Sequence, residues 1–237
     1  MKTQTPMLIL AGGLGTRLKE VLDAKPKALA PIGKVPFLEL VLEHWIDKGI
    51  RDFVLLLGYK SELIIEFIEL NNNPILKKAN FRFVVEETQL GTGGAIANAI
   101  KKLKINTNFL VINSDTWLST NASGILKKDA PCIGLVWNDD VSRFGCVEVD
   151  KSMKIKGFSE KKIKANGGLI NSGFYKLNPK FFKNWDGTTC SLEEEIFPQL
   201  ILEGKLSGIV LDSQFIDIGI PADYAKFQTQ LSGYKNE

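Results

Sequence analysis

Histidine is almost missing from this chain: His44 stands alone among 237 residues. That sets aside catalysis by a histidine base and any histidine-rich metal centre. His44 itself lies in the helix-like stretch FLELVLEHWIDKG (37–49) and reads as a surface or half-buried helix residue. Cysteine is scarce too. Cys132, Cys146 and Cys190 are odd in number, have no CxxC spacing and have no histidine neighbours, which argues against zinc and for inert thiols in a reducing compartment. No apolar run reaches the length of a membrane span, and the N-terminal MLIL run is shorter than the apolar core of a secretory leader. A cytoplasmic location is the expectation. An excess of one charge is also absent: 30 basic residues face 27 acidic ones, a formal net charge of +3. Such a balance provides no field to recruit nucleic acid or an anionic membrane, and the basic run KKLKI (101–105) has no interleaved aromatics.

What is present is a globular composition, 44% hydrophobic and 24% charged. A chain of this size buries roughly 70–75% of its extended surface. In the first half, short apolar runs alternate with amphipathic segments. Strands are predicted at 7–10, 52–57, 81–85 and 108–112, and helices at about 36–48, 61–70 and 93–102. This is the βαβ pattern of an α/β fold, a mostly parallel sheet flanked by helices, which binds ligands at the carboxyl ends of its strands. After Asp115 the pattern changes. Residues 131–177 read as mainly extended, followed by a helix near 191–202, strands near 207–217 and a last helix from about 221. With no repeat and no linker, the simplest account is one α/β domain whose second half completes a cleft.

The first strand empties into AGGLGTRL (11–18). Gly12, Gly13 and Gly15 could simply make a tight strand-to-helix turn. A dinucleotide fingerprint and a Walker loop both fail, because neither GxGxxG with a later carboxylate nor GxxxxGK[S/T] is present. The favoured reading is a backbone nest for phosphate, with Arg17 as a fixed cationic fork. Prolines 26, 31 and 36 then stiffen the segment that carries Lys25 and Lys27, so that a lysine could reach the same phosphates.

GGLGTRL (12–18) together with KPKALAPIGK (25–34) resembles the sugar-1-phosphate nucleotidyltransferases. The resemblance continues through LGTGGAI (90–96), VINSDTW (111–117), FSEK (158–161) and FIDIGIPADY (215–224). Within the family it is strongest to the group of D-glycero-D-manno-heptose 1-phosphate guanylyltransferases. It implies a Rossmann-like, mixed, mostly parallel sheet, a nucleotide-binding half over about 1–118, a β-rich sugar-binding half over about 119–237, and no C-terminal β-helix. The implied partners are a nucleoside triphosphate, with GTP favoured, and a sugar 1-phosphate; a homodimer is compatible with the family.

The same resemblance distributes the site residues. Leu10, Ala11, Gly12, Gly13, Gly15 and Thr16 line the nucleotide. Arg17 and Lys27 act on its phosphates. Leu90, Gly91, Thr92 and Gly94 approach the base and ribose. Glu160 and Lys161 serve the sugar and its phosphate, as does Asn171, and Gly145, read within a strand in RFGCVE (143–148), could let a sugar ring approach the backbone. Asp115, after an apolar strand, reads either as a helix N-cap or as a metal ligand. Paired with Asp217, it suits Mg²⁺, which takes few carboxylates and completes its shell from water and phosphate; the place of Asp217 in this pair rests on the resemblance. Asn171 lies in an otherwise apolar strand, where an amide needs partners. The glutamates of SLEEEIF (191–197) read as a capping box of Ser191 and Glu194, and Asp139 and Asp140 as loop residues; neither set is assigned to the site. Ser114, where relatives usually carry glycine, could narrow the sugar pocket or donate a hydrogen bond to a sugar hydroxyl, and Lys162 stands where proline is frequent. Two other classes remain open: a metal-dependent glycosyltransferase, which typically lacks the GTRL arginine and lysine loop, and a non-catalytic nucleotide-sugar binder.

Overall fold

The computed structural model describes residues 5–15, 25–120, 122–141, 143–159 and 167–234. In chain order, the described elements begin with β1 (Met7–Ala11), β2 (Pro31–Ile32), β3 (Val35–Pro36), α1 (Phe37–Asp47), β4 (Asp52–Leu57), α2 (Ser61–Leu70) and β5 (Asn80–Val85). Next come α3 (Gly91–Leu103), β6 (Phe109–Asn113), β7 (Thr116–Leu118), α4 (Ser123–Leu126), β8 (Cys132–Asn138), β9 (Cys146–Val149), β10 (Ile155–Ser159) and β11 (Gly168–Leu177). A π-helical turn (Leu192–Ile196) leads into α5 (Phe197–Leu202), followed by β12 (Ser207–Val210), β13 (Phe215–Asp217) and α6 (Pro221–Tyr234).

The chain forms two compact units. One comprises Met1–Gln89, Asn113–Leu118 and Gln214–Glu237. Its sheet runs β1-β4-β5, all parallel, with Met7 opposite Phe53 and Asp52 opposite Asn80. Met7, Leu8 and Ile9, like Phe53, Val54 and Leu55, have no solvent exposure. The central strands are therefore apolar on both faces, as a helix-covered parallel sheet requires. Helix α1 buries Phe37, Leu38, Val41, Leu42, Trp45 and Ile46, a stripe at the helical repeat. It stops where Gly49 takes φ 96° and Ile50 N donates to Trp45 O at 3.0 Å, the glycine end expected of a helix. His44 packs its ring 5.0 Å from Trp117 and 5.2 Å from Trp45. That contact is structural, as its place on a helix predicts.

The other unit comprises Leu90–Ile112 and Ser119–Ser213. Its strands are ordered β12-β8-β11-β6; β12 is parallel to β8, and β11 runs against both β8 and β6. A separate antiparallel pair, β9 and β10, joins it. The α/β class is the one that the periodicity predicts, and the mixed, mostly parallel sheet is the one that the resemblance implies. Among the described residues no helix is long and apolar enough to cross a membrane.

Candidate active site

In the first unit, β1 ends at Ala11 and the chain turns through Gly12 to Gly15. The three glycines are there for different reasons. A Cβ on Gly12 would lie 2.9 Å from Glu86 Oε1, and the same carboxylate oxygen would meet a Cβ on Gly58 at 2.9 Å. Gly15 has φ +61°, and a side chain there would press on Lys27 Cβ at 3.1 Å. Gly13 faces open space. Leu10 O accepts from Ser114 N at 3.0 Å, which ties the end of β1 to the segment that carries Asp115. Ser114 is buried there. Thr16 and Arg17, expected to complete this loop, lie outside the described residues.

Lys27 opens a short 3-10 turn (Lys27–Leu29) just after Pro26. Its ammonium donates to Asp115 Oδ2 and stands 3.9 Å from Asp217 Oδ1. The three side chains are only 13%, 26% and 19% exposed, respectively, so little water screens them. Asp115 sits between β6 and β7, with no helix following it; the N-cap alternative is removed. Asp217 reaches it because β13 pairs antiparallel with β7, setting Asp217 opposite Thr116, and Ile218 N donates to Asp115 O at 2.9 Å. Gly219 N donates to Asp217 Oδ1 at 2.7 Å. A Cβ on Gly219 would lie 2.6 Å from both Asp217 Oδ1 and Lys27 Nζ. Gly219 is therefore what lets the ammonium and the carboxylate approach, a role that its sequence neighbourhood does not announce.

Two carboxylates converging on one cation are a donor set of hard oxygens. They match Mg²⁺, which binds through one or two carboxylates and substrate phosphate. Among the described residues no cluster of three or more histidine, cysteine or acidic side chains offers a fuller cage. Behind the lysine, Tyr224 OH and Gln228 Nε2 of α6 both donate to Pro31 O, the latter at 3.0 Å. The helix that follows the Asp217 segment thus also holds the proline-stiffened loop. Burial raises the Tyr224 phenol pKa, so Tyr224 stays a donor at neutral pH.

In the second unit, the LGTGGAI segment begins α3. Gly91 takes φ +72°, and a Cβ there would stand 2.6 Å from Cys190 O. Gly93 N and Gly94 N both donate to Cys190 O, at 2.8 and 3.0 Å, while Cys190 N donates to Leu90 O at 2.8 Å. These buried amides cap the helix start within the protein, so the N–H groups of Gly93 and Gly94 serve Cys190. Thr92 Oγ1 donates to Glu193 Oε2 at 2.9 Å and accepts from Leu192 N at 2.8 Å.

Asn171 lies on β11, where the pairing with β8 slips between Asn171 and Tyr175 and Gly173 takes φ +70°. Such a bulge re-aims a side chain. The amide has partners within the chain: Nδ2 donates to Tyr175 OH at 3.0 Å, and Oδ1 accepts from Gly173 N at 2.9 Å. Gly145 lies just before a strand, not within one as the sequence predicts. It lies in the turn before β9, with φ +72°, and its missing side chain admits Ser159 O, 2.7 Å from where a Cβ would be. The close approach at Gly145 is therefore made by the β9–β10 backbone. Glu160 and Lys161 lie outside the described residues.

The capping box is also revised. Ser191 Oγ accepts from Glu194 N at 3.1 Å as predicted, but the reciprocal carboxylate on Ser191 N is Glu195, at 2.9 Å. The first turn is π-helical, with Ile196 N donating to Ser191 O, and the wider turn shifts the closing residue by one. Glu193 turns to Thr92 and Tyr175. The capping pattern accounts for this glutamate as part of a helix start, and no sequence signal points to its contacts with Thr92 and Tyr175.

The first unit thus carries a parallel sheet, a glycine turn after β1 and a lysine between two carboxylates. The chain belongs to the nucleotidyl transferase family, whose model matches residues 7–233. It is 35% identical over 221 residues to D-glycero-alpha-D-manno-heptose 1-phosphate guanylyltransferase of Campylobacter jejuni, covering 93% of this chain and 97% of that one. The enzyme of the same name from Aneurinibacillus thermoaerophilus is 32% identical over 233 residues, covering 96% and 98%. Among solved structures, HddC from Yersinia pseudotuberculosis superposes with a TM-score of 0.84 at 34% identity, over 96% of this chain and all of that one. The same protein has been solved in complex with GMP-PN.

Proposed function

We propose that this protein is a sugar-1-phosphate guanylyltransferase, joining GTP and a sugar 1-phosphate, D-glycero-α-D-manno-heptose 1-phosphate, to give the nucleotide sugar and pyrophosphate. The observation that carries this reading is the placement of Lys27 between Asp115 and Asp217, in a chain whose near full-length relatives bear that guanylyltransferase name. The nucleotide sugar would feed surface polysaccharide synthesis.

In the reaction, an oxygen of the sugar phosphate attacks the α-phosphorus of the triphosphate. A new P–O bond forms in line with the one that breaks, and pyrophosphate departs with the bonding pair. The attacking phosphate is already an anion at neutral pH, so no general base is required, which agrees with the near absence of histidine. The protein's task is positioning and charge neutralisation. Lys27 neutralises the α-phosphate, and Arg17 holds the departing pyrophosphate. The backbone of Leu10 to Gly15, with Thr16, seats the nucleotide, and Leu90 and Gly91 receive the base. Ser114, Glu160, Lys161 and Asn171 orient the sugar phosphate. Asp115 and Asp217 would hold Mg²⁺, which when bound supplies charge neutralisation at phosphate oxygen.

A grid of four triphosphates against hexose and heptose 1-phosphates, read by pyrophosphate release, tests the assignment. GTP with the manno-configured heptose 1-phosphate is expected to give the highest kcat/KM. No release from any pair refutes the activity, and a better pair revises the substrates alone.

A further inference from the structure

The carboxylate of Glu193 collects three hydroxyls. Its Oε1 accepts from Tyr175 OH at 3.3 Å, and its Oε2 from Thr92 Oγ1 at 2.9 Å and Ser191 Oγ at 3.3 Å. An ionised carboxylate only accepts, so it fixes the direction of every bond it makes. Tyr175 must spend its one proton on Glu193. Its oxygen is then left as an acceptor, and Asn171 Nδ2 donates to it at 3.0 Å. Gly173 N, a backbone donor, points at Asn171 Oδ1 from the other side at 2.9 Å. The amide is thus locked in one of its two orientations. Its second N–H and second lone pair, not used by these two bonds, keep fixed directions. The Tyr175 ring that transmits this order is 1% exposed and packs edge-on to Phe197 at 5.2 Å.

We propose that Glu193 is a positioning residue for acceptor binding: through Tyr175 it sets the orientation of the Asn171 amide, and through Thr92 it joins that amide to the Leu90–Gly94 turn. The proposal rests on the reading above in which Asn171 meets the sugar. Glutamine at position 193 is nearly isosteric but has one acceptor oxygen in place of two. It can take the proton of Tyr175 or that of Thr92, and its NH₂ group opposes the other. Phenylalanine at position 175 keeps the buried ring and removes only the relay.

The test uses the full chain with the best substrate pair from the grid, and steady-state KM for each substrate in N171A, Y175F, E193Q, Y175F/E193Q and N171A/E193Q, with melting curves beside them. Loss of one net hydrogen bond corresponds to about a three- to tenfold effect. Y175F and E193Q are each expected to raise the sugar-phosphate KM by that factor, and Y175F to leave the GTP KM within about twofold. The effects are not expected to multiply: Y175F/E193Q should match the worse single variant, and N171A/E193Q should match N171A. If E193Q fails to fold, Y175F alone carries the test. The proposal is overturned if Y175F leaves the sugar KM unchanged or if the effects multiply. If N171A itself leaves the sugar KM unchanged, Asn171 is not a sugar contact, and the positioning role falls with that assignment while GTP-dependent turnover stands. A chain that turns over no pair at all refutes the function and the positioning role together.

Discussion

Replacing Lys27 with methionine keeps the length of the side chain and removes its charge. In the present arrangement the ammonium stands 3.9 Å from Asp217 Oδ1 and bonds Asp115 directly. At an effective dielectric constant near 20, one such pair is worth about 4 kcal/mol of attraction. All three side chains keep some exposure, 13–26%, and ordering and desolvation oppose the attraction. The net loss on substitution is therefore expected to lie between the surface and buried limits, about 1–3 kcal/mol. For a chain of this length that lowers the melting temperature by roughly 2–12 °C. Two carboxylates left without their cation then become a better magnesium site, because the metal no longer has to displace a lysine. Melting curves of the wild type and K27M with and without millimolar Mg²⁺ should show a larger magnesium-induced rise in the variant. Turnover should fall at least about tenfold, because a charge contact to the reacting phosphate is lost. Equal magnesium shifts in the two proteins would falsify the idea that lysine and metal compete for the same carboxylates. Unchanged turnover would remove Lys27 from the catalytic set.

Gly219→Ala places a methyl 2.6 Å from Lys27 Nζ and Asp217 Oδ1, both side-chain ends; it should lower the melting temperature by no more than K27M does while kcat drops by about tenfold or more, and full activity would show that the close approach is dispensable. Gly91→Ala meets backbone, Cys190 O at 2.6 Å, at a φ of +72°. Its left-handed conformation alone should cost about 1–2 kcal/mol, measured by urea unfolding, and an unchanged midpoint would contradict it. The Cys190 thiol pKa is raised, first by burial and then by the carboxylates of Glu195 and Asp186. Because only the thiolate reacts, alkylation followed by mass spectrometry should be slow at pH 7.5 and accelerate above pH 9, and labelling at pH 7.5 as fast as a small free thiol would contradict the buried placement.

Much of this molecule is legible before any coordinates, and the boundary of legibility has a physical cause. Strand β4 occupies the predicted 52–57 and α2 the predicted 61–70, because their apolar residues recur at the strand and helix repeats, a purely local signal. Asp115 could be picked out because it ends a buried run. Its neighbour Asp217 could not be placed beside it by spacing, since the antiparallel pairing of Thr116 with Asp217 joins segments a hundred residues apart. Gly145 is a related case: a glycine among β-formers signals that something comes close, and only the pairing of β9 with β10 shows that Ser159 O does so.

Glu193 illustrates a different limit. The sequence SLEEEIF carries a true helix-start signal, and Ser191 does cap Glu194 N. A capping pattern explains why glutamates stand in the first turn, where the helix dipole favours them, but it is silent about where each carboxylate points. In the structure Glu195, not Glu194, closes the cap, while Glu193 faces Thr92 and Tyr175. A local explanation that fully accounts for a residue type can thus hide a second use of the same side chain. In this chain the second use links Asn171 on one strand to the turn that begins α3, two segments that the sequence presents as unrelated and that a single carboxylate makes interdependent.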